Sequence, residues 1–232
     1  MNFKEEVEKF NINLDSSMES KFNEYFSFLV SFNEHTNLTA ITEHDEVFVK
    51  HFLDSMLLNA AYDLTGKTLC DVGAGAGFPS VPNAIINPNV SVDIVDSLNK
   101  RINFLNELVN RIDLKNVKAY HSRAEEWALN KRESYDVVSA RAVARLQMLA
   151  ELCMPLVRVG GVFVAMKSLE SQDELNEARR AIEVLGGKVK EIKHFDLPYN
   201  MGSRDIIIIE KVKETPKKYP RSFAKIKQNP IK

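Results

Sequence analysis

The sequence predicts an α/β fold, with an N-terminal helical extension leading into a mostly parallel seven-stranded sheet whose last strand is antiparallel. Three observations carry this expectation. Apolar residues recur at helical spacing before Gly66, short apolar runs alternate with longer amphipathic ones after it, and only a short polar loop separates the last two runs. A chain of 232 residues has room for one sizeable α/β domain with a modest extension.

In the extension, Phe22, Tyr25, Phe26, Leu29, Val30 and Phe32 lie three and four apart, which suits one buried stripe. A second helical pattern runs from about Glu43 to Tyr62. Between them, Asn37-Leu38-Thr39-Ala40-Ile41-Thr42 reads as a loop and a helix cap. The expected strands are Thr68 to Val72, Val90 to Val95, Val117 to His121, Tyr135 to Ala140, Gly161 to Lys167, Lys188 to Phe195 and Asp205 to Lys211. Helical patterns between them include Lys100 to Arg111, Leu146 to Val157 and Ser171 to Leu185, with Gly160-Gly161 and Gly186-Gly187 as turns after helices. The loop from Pro198 to Arg204 is too short for a crossover helix and favours a hairpin. The expected organisation is residues 1–62 as a helical extension packed on the core, 63–213 as the ligand-binding sheet domain and 214–232 as a basic tail.

The start of the chain, Met1-Asn2-Phe3-Lys4-Glu5-Glu6, has no signal-peptide character, and no run approaches the roughly 18 apolar residues of a membrane span. A cytoplasmic, monomeric protein is expected. Cys70 and Cys153 sit in apolar runs as small core residues do, and His35, His44 and His51 lack metal-ligand spacing, so no metal is expected. The formal net charge of -1 hides an asymmetry: the eight lysines and arginines from Lys211 to Lys232 are opposed by Glu214 alone. Such a tail seeks anions.

The first strand runs into Gly73-Ala74-Gly75-Ala76-Gly77, where missing β-carbons permit a sharp turn and close approach to a ligand. A helix is expected from near Pro79. Asp96 ends the second strand at the place where an acid accepts hydrogen bonds from ribose hydroxyls. A dinucleotide loop would carry a third glycine where Phe78 stands, and Asp71 would repel a pyrophosphate while suiting the cationic amino group of a methionine moiety. These features favour S-adenosylmethionine over a nicotinamide cofactor; an ordinary glycine-rich turn is the plain alternative. Arg123-Ala124-Glu125 follows the third strand, where such sheets meet adenine, although acids at a helix N-terminus explain it equally. Arg141 and Arg145 are four apart and either share a helix face that grips a phosphate or make surface ion pairs, and Lys167 is open to the same two readings.

Taken together, Asn37-Leu38-Thr39-Ala40-Ile41, His51-Phe52-Leu53-Asp54-Ser55, Asp71 through Phe78-Pro79, Lys100-Arg101 with Phe104-Leu105, Arg123-Ala124-Glu125, Arg141-Ala142 and Tyr219-Pro220-Arg221 resemble the glucose-inhibited division protein B (RsmG) family. Its members are ribosomal small-subunit RNA guanine-N7 methyltransferases of the Rossmann-like class I fold. The resemblance runs nearly end to end and implies that Gly73, Phe78, Ala124, Glu125 and Arg141 contact the cofactor. The wider expected cofactor set adds Asp71, Gly75, Gly77 and Asp96; Asp96 stands where many members have glutamate, and Ser80 replaces a frequent glycine. By the same resemblance, guanine N7 attacks the methyl group in line, with no general base, and Arg141 positions the reactants. Arg145, Lys167, Arg204 and Arg221 are expected to hold RNA. The competing readings are a methyltransferase for a small molecule or protein, a non-catalytic ribosome-binding protein that keeps the fold, and an NAD-dependent enzyme.

Overall fold

The computed structural model describes residues 1–141, 144–168 and 171–232; Ala142 of the Arg141-Ala142 pair lies outside them. The strands β1 (Thr68–Val72), β2 (Ser91–Asp96), β3 (Val117–His121), β4 (Tyr135–Arg141), β5 (Val157–Lys167), β6 (Gly187–Asp196) and β7 (Ser203–Lys211) form one sheet in the order β3-β2-β1-β4-β5-β7-β6. Neighbours from β3 through β5 are parallel, and β7 runs antiparallel to both β5 and β6. The expected hairpin is present, and its return strand is the inner one.

Alternation along the strands separates two cores. Val162, Val164 and Met166 of β5 and Ile206 and Ile208 of β7 face one; Phe163, Ala165, Ile207 and Ile209 face the other. The unbroken Ile206–Ile209 run is buried on both faces because β7 lies inside the sheet. The first core takes α1 (Phe3–Glu8), α2 (Ser16–Thr36), α3 (His44–Val47), α4 (Asp54–Ala61), α5 (Ser80–Ile86) and α6 (Asn99–Arg111). The second takes α7 (Ala124–Asn130), α8 (Leu146–Cys153), α9 (Ser171–Val184) and α10 (Phe223–Gln228).

β1 lies between β2 and β4, so successive connections leave it in opposite directions. A crevice opens where they part, above the carboxyl ends of β1 and β4. The glycine loop and Arg141 lie there because each directly follows or ends one of these two strands. α2 closes the crevice from the side. Asp15 caps its start by accepting from the Met18 N–H at 2.8 Å, and Asn37 ends it in a left-handed conformation. Phe22, Tyr25, Phe28 and Leu29 are its buried face. The Tyr25 hydroxyl donates to the carbonyl oxygen of Ala76 inside the loop.

Four expectations change. The pattern from Glu43 to Tyr62 is not one regular helix, because a π-helical turn over Phe48–Leu53 separates α3 from α4. The helix from Leu146 stops at Cys153, and a 3-10 turn over Met154–Leu156 carries Pro155, which has no N–H to continue the ladder. β5 therefore begins at Val157, and Gly160-Gly161 lies within it, where the pairing with β4 shifts register between Tyr135 and Val137. Lys211, counted among the anion-seeking cations at the end of the chain, is not open to an anion. Lys211 is fully buried, donating to the carbonyls of Met154 at 2.6 Å and Val157 at 3.2 Å and to Thr215 Oγ1 at 2.7 Å, with Glu133 at 3.1 Å. Arg132 clasps the carbonyls of Thr215 and Tyr219 at 2.5 and 2.8 Å.

Gly77 and Gly75 both have positive φ, +99° and +61°, but a β-carbon on Gly77 would lie 2.7 Å from the Tyr25 hydroxyl and from Val81, whereas one on Gly75 would meet nothing within 4 Å. Gly77→Ala is therefore expected to lose about 3 kcal/mol from strain and overlap together, and Gly75→Ala about 1 kcal/mol from strain alone. Urea denaturation of the two variants checks this; equal losses would contradict the packing role of Gly77.

Candidate active site

The loop after β1 enters the crevice with its backbone held from below. The Gly73 N–H donates to the Val95 carbonyl at 2.8 Å. Asp96, only 2 % exposed, accepts from the Gly75 N–H at 3.2 Å, the Leu98 N–H at 2.9 Å and Arg101 at 3.1 Å. Two lobes open around this frame. One of about 320 Å³ is walled by Gly73 to Ala76, Phe78, Leu38, Thr39, His51, Arg101 and Arg141. The other, of about 110 Å³, is bordered by Gly73, Asp96, Ser97, Arg101, Ser122 to Glu125, Leu152 and Phe223. Gly73 and Arg101 belong to both, so the lobes meet over the first glycine.

Of the expected cofactor residues, Gly73, Gly75, Phe78, Asp96, Ala124, Glu125 and Arg141 line one lobe or the other. Asp71 and Gly77 do not. Asp71 is fully buried beneath the loop, where it accepts from the Ser80 N–H and the Ser139 hydroxyl, each at 3.1 Å. It ties the loop to the start of α5 rather than meeting an amino group. Burial pushes its carboxyl up to about 6, against the opposing pull of Ser80, Ser139 and Arg141. Gly77 faces Tyr25, as described above.

The wall opposite the loop is built by residues whose pairing the sequence reading did not foresee. Asp54, with 4 % of its side chain exposed, accepts from Arg141 at 3.1 Å and from Arg204 at 3.0 Å. The π-helical turn makes a further contact. The Asp54 N–H donates to the carbonyls of Val49 and His51, leaving the Lys50 carbonyl to accept from Arg141 at 3.4 Å. His51 stacks on Phe78, with ring centroids 4.5 Å apart and an interplanar angle of 17°, and the Arg141 guanidinium lies 4.9 Å from the Phe78 centroid. Burial first, and then Arg141, lower the imidazole pKa to about 3. His51 is thus neutral, with Nδ1 accepting from Arg141 at 3.4 Å and Nε2–H donating to Thr39 Oγ1 at 2.8 Å. Asn33 fixes Thr39 in turn by donating to its carbonyl at 2.9 Å and accepting from its N–H at 3.0 Å.

Beyond Arg141 lies a second cavity of about 580 Å³, lined by Lys50, His51, Asp54, Ala144, Arg145, Lys167, Arg204 and others. Arg141 and His51 line this cavity and the larger lobe alike. The arginines at 141 and 145 do not share a helix face, since Arg141 ends β4 and Arg145 is the N-cap of α8. Arg145 is exposed and pairs with Glu177 at 2.8 Å. Lys167 is buried, held by Glu174 at 2.7 Å and the Ala144 carbonyl at 2.8 Å, so it shapes the cavity instead of offering a free charge. Arg221 lines neither cavity. Its guanidinium takes both oxygens of Glu151, at 2.8 and 2.6 Å, and Glu151 is 1 % exposed, so the arginine expected to hold RNA is already clasped by a buried carboxylate.

The profile of the GidB family, described as rRNA small subunit methyltransferase G, matches residues 18–206. The chain belongs to this family. The matched span contains β1 to β6, the glycine loop and both sides of the Arg141 wall, and stops before the tail. Among curated relatives, the ribosomal RNA small subunit methyltransferase G of Staphylococcus saprophyticus is 52% identical over 222 residues, covering 95% of this chain and 93% of its own. That of Lactobacillus johnsonii is 50% identical over 234 residues, covering 99% and 98%. The fold is shared with a SAM dependent methyltransferase from Aquifex aeolicus at a TM-score of 0.55 and 16% identity, covering 75% of this chain and 97% of that one. A TYW2 from M. jannaschii, solved in complex with AdoMet, aligns at a TM-score of 0.52 and 15% identity, covering 64% and 70%.

The lobes fit the cofactor of such enzymes. An open glycine at 75, a carboxylate at the junction and a flat aromatic-and-guanidinium wall match a nucleoside joined to an amino acid.

Because the folded state holds the Asp71 proton up to about 6 while an ordinary aspartate releases it near 3.8, its contribution to stability is complete below 3.8 and is lost as pH rises to about 6. That loss is on the order of 3 kcal/mol. Asp71→Asn keeps an acceptor for Ser80 and a donor for Ser139. Denaturant titrations from pH 4 to 7 should show the variant gaining on the parent chain by about this amount; parallel curves would refute the burial of an ionisable group there.

Proposed function

We propose that this chain transfers a methyl group from S-adenosylmethionine to N7 of a guanine in small-subunit ribosomal RNA. One observation carries the reading: Arg141 and His51 line both the cofactor lobe and the larger cavity, so donor and acceptor sites share a wall. When bound, the cofactor supplies a methyl group on a cationic sulfonium, and a ring nitrogen with a free lone pair takes it without losing a proton. A general base is unnecessary. His51, with a pKa of about 3, is a weak base whose two ring nitrogens already meet Arg141 and Thr39, and it acts as a positioning plate on Phe78.

The division of labour follows from what each residue touches. The backbone at Gly73 and Gly75 admits the cofactor closely, Asp96 accepts from its ribose, and Ala124 and Glu125 border its base. Phe78 and Arg141 bound the reacting end and exclude water there. Arg141 is a cation beside a reaction that carries positive charge, and Asp54 neutralises it. At the mouth of the large cavity, Arg145 is exposed and its surface ion pair is weak enough to exchange for a phosphate. The target base must leave its stack to enter. Residues 1–62 wall the larger lobe through Leu38, Thr39 and His51, 63–213 carry the glycine loop and Asp96, and 214–232 reach the smaller lobe through Phe223. The same reading makes it a cytoplasmic enzyme that works as a single chain without a metal. No described helix is long and apolar enough to cross a membrane.

Purified small subunits lacking the modification, incubated with labelled cofactor and this chain, should gain label at one guanine N7 when the RNA is mapped; label confined to protein or small molecules would overturn the assignment. Asp54→Asn should slow methyl transfer on the order of a hundredfold by releasing Arg141. The same change should weaken S-adenosylmethionine more than S-adenosylhomocysteine, which lacks the sulfonium charge, as read by calorimetry. An unchanged affinity ratio would remove Asp54 from this role.

A further inference from the structure

The smaller lobe of the cleft has a wall that comes from the tail, beyond the span matched by the family: Phe223 lines it together with Asp96, Ser97 and Ala124. Phe223 packs against the edge of the second core without being enclosed by it. It is half-exposed at the start of α10, whose core-facing residue is Ile226, fully buried. Its backbone N–H donates to Glu125 Oε1 at 3.3 Å, and the Arg123 guanidinium lies 5.9 Å from its ring centroid. Both contacts tie it to the start of α7. Two residues earlier, the clasp between Arg221 and Glu151 fixes the tail on α8. A long charged tail does not need this much anchoring to stay near a surface. The anchoring has the effect of holding one aromatic ring at the edge of a small, flat lobe.

We propose that Phe223 packs against the adenine ring of the bound cofactor, making the C-terminal tail part of the cofactor site. The chemistry of the lobe favours a base over other parts of the ligand. Asp96 stands by the glycine loop, where a ribose belongs, while Val95, Leu152, Ala124 and Phe223 give the space beyond it an apolar wall, and Ser122, Arg123 and Glu125 give it a polar edge of the kind a base's ring nitrogens and amino group need. A flat heteroaromatic ring gains stacking as well as dispersion against such a wall, more than a sugar or an amino acid gains there. This inference rests on S-adenosylmethionine being the cofactor.

Calorimetry on the full chain tests it with S-adenosylhomocysteine and with 5′-methylthioadenosine, which keeps the adenosine and lacks the amino acid. Phe223→Ala should raise both dissociation constants about tenfold, in the range found for base–aromatic contacts. Phe223→Tyr should restore them, and Lys227→Ala, an exposed change on the same helix, should leave them alone. Thermal melts establish that each variant is folded; if the alanine variant is not, Phe223→Leu keeps the bulk without the ring and should still lose several-fold. Parent-like affinity in a folded Phe223→Ala or Phe223→Leu would overturn the inference and leave the cofactor assignment intact. If the unaltered chain bound neither ligand, the cofactor assignment itself would fall.

Discussion

The carboxylate of Asp54 is withdrawn from water between two guanidinium groups that come from distant parts of the chain, and it is stable in that position only while both remain. Arg141 ends β4 and Arg204 opens β7, so one buried charge joins the N-terminal helices to both the parallel and the antiparallel parts of the sheet. Removing one partner from such an arrangement leaves an uncompensated charge, which costs on the order of 3 to 5 kcal/mol in buried pairs. The gain is geometric. Arg141 is fixed against Phe78 and His51, and the wall between the two cavities becomes rigid.

The glycine loop is held in a comparable way from the other side. Asp71 ties it to α5 from beneath, Tyr25 ties it to α2, and Asp96 ties Gly75 to β2. Each tether uses a backbone group of the loop or its helix, so the surface the loop turns to the lobe is left to glycines, alanines and Phe78. Rigid support of this kind lets an open site keep its shape without ligand.

The strands and most helices could be read from the sequence because period and burial are local properties: β1 and β3 begin and end where the apolar runs do. The place of Asp96 was equally legible, since it depends only on where β2 ends. Asp71 and Gly77 were not, because spacing says that a loop is tight without saying which of its residues face a ligand and which face the core. Asp54 and Arg221 needed partners 87 and 70 positions away, and charge alone does not reveal which cations are already paired. The one local hint was the i, i+3 spacing of His51 and Asp54, which puts both on one helical face.

The position of β7 bears on how the protein is made. It is the last strand in the chain, yet it lies between β5 and β6. While the polypeptide is being synthesised, the edge of β5 has no neighbour, and β6 has nothing to pair with, until residues 203–211 have left the ribosome. The apolar run Val162 to Met166 is an exposed edge during that interval, the kind of surface on which nascent chains stick to one another. The sheet is complete only once β7 lies between β5 and β6 and Lys211 is sealed under Thr215. A ribosome that stalls before this point holds a chain with its sheet divided.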